Sequence, residues 1–219
     1  MTGMPGRAAG IAAALVVGLL VGSSAHADDS KKQERRIGEA AADRQLYVSK
    51  LVLLDAKQIA LGELALQRSQ DPQVRRLAKQ LVADHRKHLG DLRTWAEGQS
   101  LQVAAIDLSA AEDEGVGGSG SAGIQEGYEE RMEDVDERLD DAIGDAQEDV
   151  SEVREKTGED FDKAFISRVV DDQEEGQKLV RDGLDTYRAD AAFSLLLNRT
   201  GNVIDRQVEQ GKRVEEALD

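Results

Sequence analysis

Four polar residues, Gln58, His85, Gln173 and Gln207, interrupt otherwise apolar stripes, and they are the side chains of this sequence best placed to do chemistry. Each sits in a run whose apolar members recur at alternating steps of three and four, the spacing that collects side chains on one face of a helix. Gln58 lies 13 residues before Asp71 and His85 lies 14 after it, so a tight turn at Asp71-Pro72 brings both to about 20 Å from the turn, facing each other. Gln173 and Gln207 each lie 17 residues from Asp190, which levels them about 25 Å from a second turn.

Two chemistries suit four polar groups in the seam of a helical bundle. One is a metal centre, which in such bundles uses carboxylates and a Glu three residues ahead of a His on facing helices. No Glu stands three residues before His85 or His88, and glutamine amides are poor ligands for iron or zinc. Asp84, His85 and His88 remain the candidates for a weak peripheral metal site, with Asp172 as a further carboxylate. The other chemistry is a structural polar layer of Gln58, His85, Gln173 and Gln207, in which buried amides and an imidazole satisfy one another and fix helix register. The residue types favour this second reading. No catalytic or cofactor-binding residue and no cofactor is assigned.

The elements that must position these residues can be read from the same periodicity. A first helix is expected from about Ala40 to Arg68, on a face with Tyr47, Leu51, Leu54, Leu61 and Ala65. Asp71 followed by Pro72 is an N-cap and first-turn proline for a second helix to about Glu97, which Gly98 closes. Residues 40–98 thus form a first antiparallel hairpin, and 158–219 a second, its stripes running from Phe161 to Tyr187 and from Phe193 to Leu218. Between them, 99–124 is a Gly/Ser-rich linker and 125–157 an acidic amphipathic helix. Its thin stripe, Tyr128 to Val153, suits a helix lying against the bundle or projecting from it and not a core element. The fold class is therefore all-α: an antiparallel four-helix bundle with an additional acidic helix inserted between the two hairpins.

Residues 1–27 carry one cation, Arg7, then an apolar run and Ala25-His26-Ala27, the layout of a cleaved signal peptide. Residues 28–39 are charged without periodicity and read as a flexible N-terminal arm. With no cysteine there are no disulfides and no lipid-modified cysteine, so stability rests on packing. The net charge is −16, and Glu126 to Asp160 holds 16 acidic residues against 4 basic ones. Such a surface repels nucleic acid and anionic membranes, leaving cations or a protein partner at the acidic helix. No Asp-x-Asp-x-Asp-Gly loop is present, so calcium binding there would be diffuse. Neither a Gly-x-Ser-x-Gly elbow nor a phosphate loop occurs.

The stretch Leu61-Gly62-Glu63-Leu64-Ala65-Leu66-Gln67-Arg68-Ser69-Gln70-Asp71-Pro72-Gln73-Val74, with Leu81-Val82-Ala83-Asp84-His85 behind it, resembles the ferritin-like bacterial family of unknown function 4142. Phe161-Asp162, with Phe165 in the usual Tyr place, resembles the opening of that family's third helix. The resemblance implies a ferritin-like bundle and an exported protein, periplasmic, secreted or outer-membrane associated. Members of the family commonly carry a Glu in the first helix and a His in each of the others. Here Gln58, Gln173 and Gln207 stand at the matching positions, and Asp84-His85 is kept.

Two functions are then expected to compete. The first is an exported, non-enzymatic helical-bundle protein of the cell envelope, stress- or envelope-associated, that acts by protein interaction and stays free of the membrane after signal cleavage. The alternative is a metal-binding ferritin-like protein using His85 and nearby carboxylates.

Overall fold

A computed structural model of the protein describes residues 23–99, 101, 103, 106, 108 and 122–218. Among the described residues the apolar periodicity folds as five helices and no strand: α1 (Ser23–Arg68), α2 (Pro72–Glu97), α3 (Ala122–Glu155), α4 (Gly158–Thr186) and α5 (Ala191–Leu218). The signal-peptide reading falls almost wholly on residues outside this description, as does Gly115 to Ser121 of the linker.

α1 is longer than its periodicity suggests, since residues 28–39, expected as a flexible arm, are helical. The physical reason lies almost a hundred residues away. Gly38, Ala42, Leu46, Ser49 and Leu53, at helical spacing, are buried along the face that meets α3. Ala42 and Leu46 cluster with Tyr128, Met132 and Val135, and Leu53 with Ala142, Ile143 and Ala146. Arg35 pairs with Glu130 and with Glu39, and Arg131 with Asp43 at 2.7 Å. A glycine and an alanine leave little apolar signal in sequence, yet small residues let a helix approach closely.

These pairings run in the same order along both helices, from Arg35–Glu130 through Lys57–Asp149 to Arg68 against the Arg154 carbonyl, so α1 and α3 are parallel. α1 also packs against α2 and α4, α5 against α2 and α4, and α3 touches α4. The acidic helix lies against the others, as expected, but its end enters the core: Val150 and Val153 share a cluster with Leu61, Leu64, Phe161 and Phe165. Apolar residues early in the linker are packed too, with Leu101, Val103 and Ile106 against the cluster that includes Leu51, Leu92, Val180 and Phe193, and Leu108 buried in a cluster with Leu53 and Ala146.

The turns are made locally. Asp71 caps α2, its carboxylate accepting from the amides of Gln73 at 2.7 Å and Val74 at 3.0 Å, with Pro72 in the first turn. Gly98 follows α2 at φ −70°, so the left-handed closure that a glycine there would permit is not used. Gly158, at φ 60°, does use it, turning the chain between α3 and α4 in three residues. Asp190 caps α5 by accepting from Phe193 N at 2.9 Å and also holds Arg44 of α1. The Arg44 guanidinium in turn lies 5.2 Å from the Trp95 ring centre and 5.4 Å from that of Tyr187, a cation–π clamp across that end of the molecule.

Gly183 of α4 faces the Tyr47 side chain of α1. A Cβ there would stand 1.9 Å from Tyr47 Oη, whose hydroxyl donates to the Leu179 carbonyl at 2.9 Å. Burial, with Tyr187 and Asp182 adding to it, holds that phenol well above its usual range, so it stays a donor. Gly183→Ala is expected to lose about 1 kcal/mol net in urea unfolding, overpacking and a lost hydrogen bond outweighing the gain in helix propensity. In a Tyr47→Phe background the same substitution should cost less.

Candidate functional site

Besides the two small clusters between α1 and α3, the apolar core has two large parts. One cluster gathers Leu61, Leu77, Leu81, Phe165, Val169 and Val214; the other gathers Leu51, Leu92, Val180, Phe193, Leu197 and Ile204. On α1, α2 and α4 the polar residue lies between members of the two clusters, and on α5 Gln207 sits at the edge of the second cluster, beside Val208 and before Val214 of the first, so Gln58, His85, Gln173 and Gln207 form a layer across the molecule. Gln58, Gln173 and Gln207 are fully buried and His85 is 3% exposed.

His85 is the hub. Its Nε2 lies 2.8 Å from Gln173 Nε2 and 3.1 Å from Gln207 Oε1. One neighbour is a donor and the other an acceptor, so the neutral ring can accept from Gln173 and an imidazolium can donate to Gln207. Gln173 Nε2 also reaches Gln58 Oε1 at 3.2 Å, and Gln58 Nε2 donates to Asp172 Oδ2 at 2.8 Å. The pairing by height thus needs correction. Gln58 and His85 do not bond to each other; Gln173 stands between them, because the hairpins interleave their side chains across the seam.

What faces His85 from α1 is Asp55. Its carboxylate, fully buried, lies 2.8 Å from His85 Nδ1 through Oδ1 and 2.8 Å from His88 Nδ1 through Oδ2. A carboxylate only accepts, so both facing ring nitrogens carry their protons. Sequence reasoning missed Asp55, although the same arithmetic finds it: Asp55 is 16 residues before Asp71 and His88 is 17 after it. The third metal candidate, Asp84, instead accepts from Gln207 Nε2 at 3.3 Å. Among the described residues no group of three His, Asp or Glu side chains is arranged to hold a metal ion.

The network leaves the core through Asp172, which is 3% exposed. Lys57 Nζ donates to Asp172 Oδ1 at 2.7 Å and to Asp149 Oδ2 of α3 at 2.5 Å, and Arg168 meets the other oxygen of Asp149 at 2.9 Å. Burial pushes the Asp172 carboxyl up to about 6, against the downward pull of Lys57 and Arg168. Desolvation wins because a lysine that serves two carboxylates neutralises neither completely.

A polar layer of this kind, set in the first two helices by Asp55, Gln58 and His85, lies inside the part of the chain that comparison identifies. The profile of the domain of unknown function 4142 matches residues 29–118. This segment belongs to that family. The 4142 match covers nearly all of α1, the whole of α2 and the connection after it; α3, α4 and α5 lie beyond its end. No curated protein and no solved structure matches the chain. No described helix is long and apolar enough to cross a membrane.

Proposed function

We propose that this is an exported, non-enzymatic, ferritin-like four-helix bundle of the cell envelope, built from α1, α2, α4 and α5, which acts by holding a protein partner on the acidic helix α3. One observation carries the reading. At the level where di-iron bundles keep carboxylates and histidines, this chain has two buried amides, Gln173 and Gln207, on His85 and a third, Gln58, on Gln173, with Asp55 occupying Nδ1 of both His85 and His88. Side chains committed to one another in this way are suited to fixing register and poorly suited to opening for substrate.

The interaction role is supported by the surface of α3. Glu133, Asp134, Glu137, Asp140 and Asp141 are exposed on the side away from the buried Val135, Ala146 and Val150, and they favour a basic partner. The signal-peptide layout of residues 1–27 supports export.

The test is the metal content of the protein beginning at Asp28, purified without chelator or affinity histidines, beside His85→Ala. The expected result is no stoichiometric iron, zinc or manganese in either, with the variant less stable by about 2–3 kcal/mol. Stoichiometric metal that is lost in His85→Ala would overturn the proposal in favour of a metal-binding ferritin-like protein centred on Asp55, His85 and His88.

A further inference from the structure

The hydrogen bonds of the polar layer form a chain with a direction. Gln58 Nε2 donates to Asp172 Oδ2 at 2.8 Å, Gln173 Nε2 donates to Gln58 Oε1 at 3.2 Å, and the same Gln173 nitrogen donates to His85 Nε2 at 2.8 Å. In this setting Asp172 is a carboxylate and His85 is neutral, because Asp55 holds the Nδ1 proton at 2.8 Å and Nε2 must offer its lone pair.

Two contacts fit that setting badly. Gln207 Oε1 lies 3.1 Å from His85 Nε2, acceptor against acceptor, and is kept there because its amide nitrogen donates to Asp84. Gln173 Oε1, on a side chain with no exposed surface, has no partner.

A proton on Asp172 reverses the chain. Lys57 donates to Oδ1 at 2.7 Å, so the acid proton goes to Oδ2, against Gln58. Gln58 must then turn its oxygen to Asp172 and its nitrogen to Gln173, and Gln173 must turn its oxygen to Gln58 and His85. His85 can meet that oxygen only with a proton on Nε2, and since Asp55 keeps the one on Nδ1, the ring becomes an imidazolium. The opposed contact with Gln207 Oε1 becomes a bond by the same step. Both settings use the same three links from Asp172 to His85, and each leaves one end of the Gln173 amide unpaired, so the bond count favours neither.

We propose that Asp172 and His85 take up protons together through reversal of the Gln58 and Gln173 amides, which makes the layer a two-proton pH switch. Burial, which raises the Asp172 carboxyl to about 6, places the switch in mildly acid solution. Asp172 is faced by Lys57 of α1 and Asp149 of α3, with Arg168 on its own helix. His85 is faced by Asp55 of α1 and by the Gln173 and Gln207 amides of α4 and α5, with His88 and Asp84 on its own helix. Once Asp172 is neutral, the Lys57 charge is matched by Asp149 alone, so the ion pair between α1 and α3 tightens in acid.

The test follows the His85 ring nitrogens and the Asp172 carboxyl carbon by NMR from about pH 8 to about pH 4, in the full chain and in Asp172→Asn. Both groups should report one transition with a common midpoint, steeper than a single-proton titration, and both ring nitrogens should be protonated at its acid end. In Asp172→Asn the new amide can turn its nitrogen to Gln58 with no second proton. His85 should then charge about half a pH unit or more higher, with single-proton steepness. Coulomb attraction alone gives the reverse, since removing a carboxylate disfavours the imidazolium. Midpoints more than about one unit apart, a ring that stays neutral while Asp172 titrates, or a His85 midpoint lowered or unmoved in Asp172→Asn would each overturn the proposal.

Discussion

Asp55→Ala is expected to destabilise the fold by about 3–5 kcal/mol in urea unfolding at neutral pH, the largest effect of any single substitution considered. The carboxylate is fully buried and is the common acceptor of two imidazoles, at 2.8 Å from Nδ1 of each. Truncation strands both ring donors, each at a cost of about 1–3 kcal/mol, in a layer closed above and below by apolar clusters. Asp55→Asn keeps one acceptor and a similar shape, so it should lose less than half as much. His88→Ala should also be milder than His85→Ala, since the His88 side chain is 11% exposed and that of His85 is 3%. A loss below about 1 kcal/mol for Asp55→Ala would mean that the layer contributes nothing to stability, and the account given for it would fail.

Asp172→Asn should do the opposite and stabilise the protein at about pH 7.5, by about 2 kcal/mol. In the folded chain this carboxyl titrates near 6, raised from an ordinary 3.8 by burial. Its contribution to stability is therefore fully present below about pH 3.8 and is lost as the pH rises through about 6. The difference corresponds to about 3 kcal/mol at roughly 1.4 kcal/mol per pH unit, less about 1 kcal/mol for the Lys57 hydrogen bond lost when an amide nitrogen replaces one carboxylate oxygen while the other oxygen still accepts from Gln58. The measurement is the stability of wild type and variant across pH 4 to 7.5. The curves should converge at the acid end and separate as the pH rises, with the variant above. If the wild type is the more stable at pH 7.5, the Lys57 ion pair outweighs desolvation and the assignment is wrong.

The two predictions also mark what could be read in advance and what could not. Gln58, His85, Gln173 and Gln207 were legible because each is the one polar member of an apolar stripe, and counting residues from Asp71 and Asp190 gives their heights. Asp55 was not, because it sits three residues from Gln58 at the flank of a stripe drawn through Leu54, where a carboxylate reads as solvent-facing. The helical state of residues 28–39 was hidden for a related reason. Gly38 and Ala42 carry almost no apolar signal, and what buries them is α3.

By itself the sequence determined the helices of the two hairpins, the turn at Asp71-Pro72, the four inward polar positions and the acidic character of α3, since all of these follow from the 3.6-residue period, capping chemistry and charge. Only the tertiary structure decided which polar group meets which. Gln173 stands between Gln58 and His85, Asp55 serves both imidazoles, and Lys57 bridges Asp149 and Asp172, because hydrogen-bond partners are fixed by the lateral packing of helices, a dimension in which residue spacing along one chain carries no information.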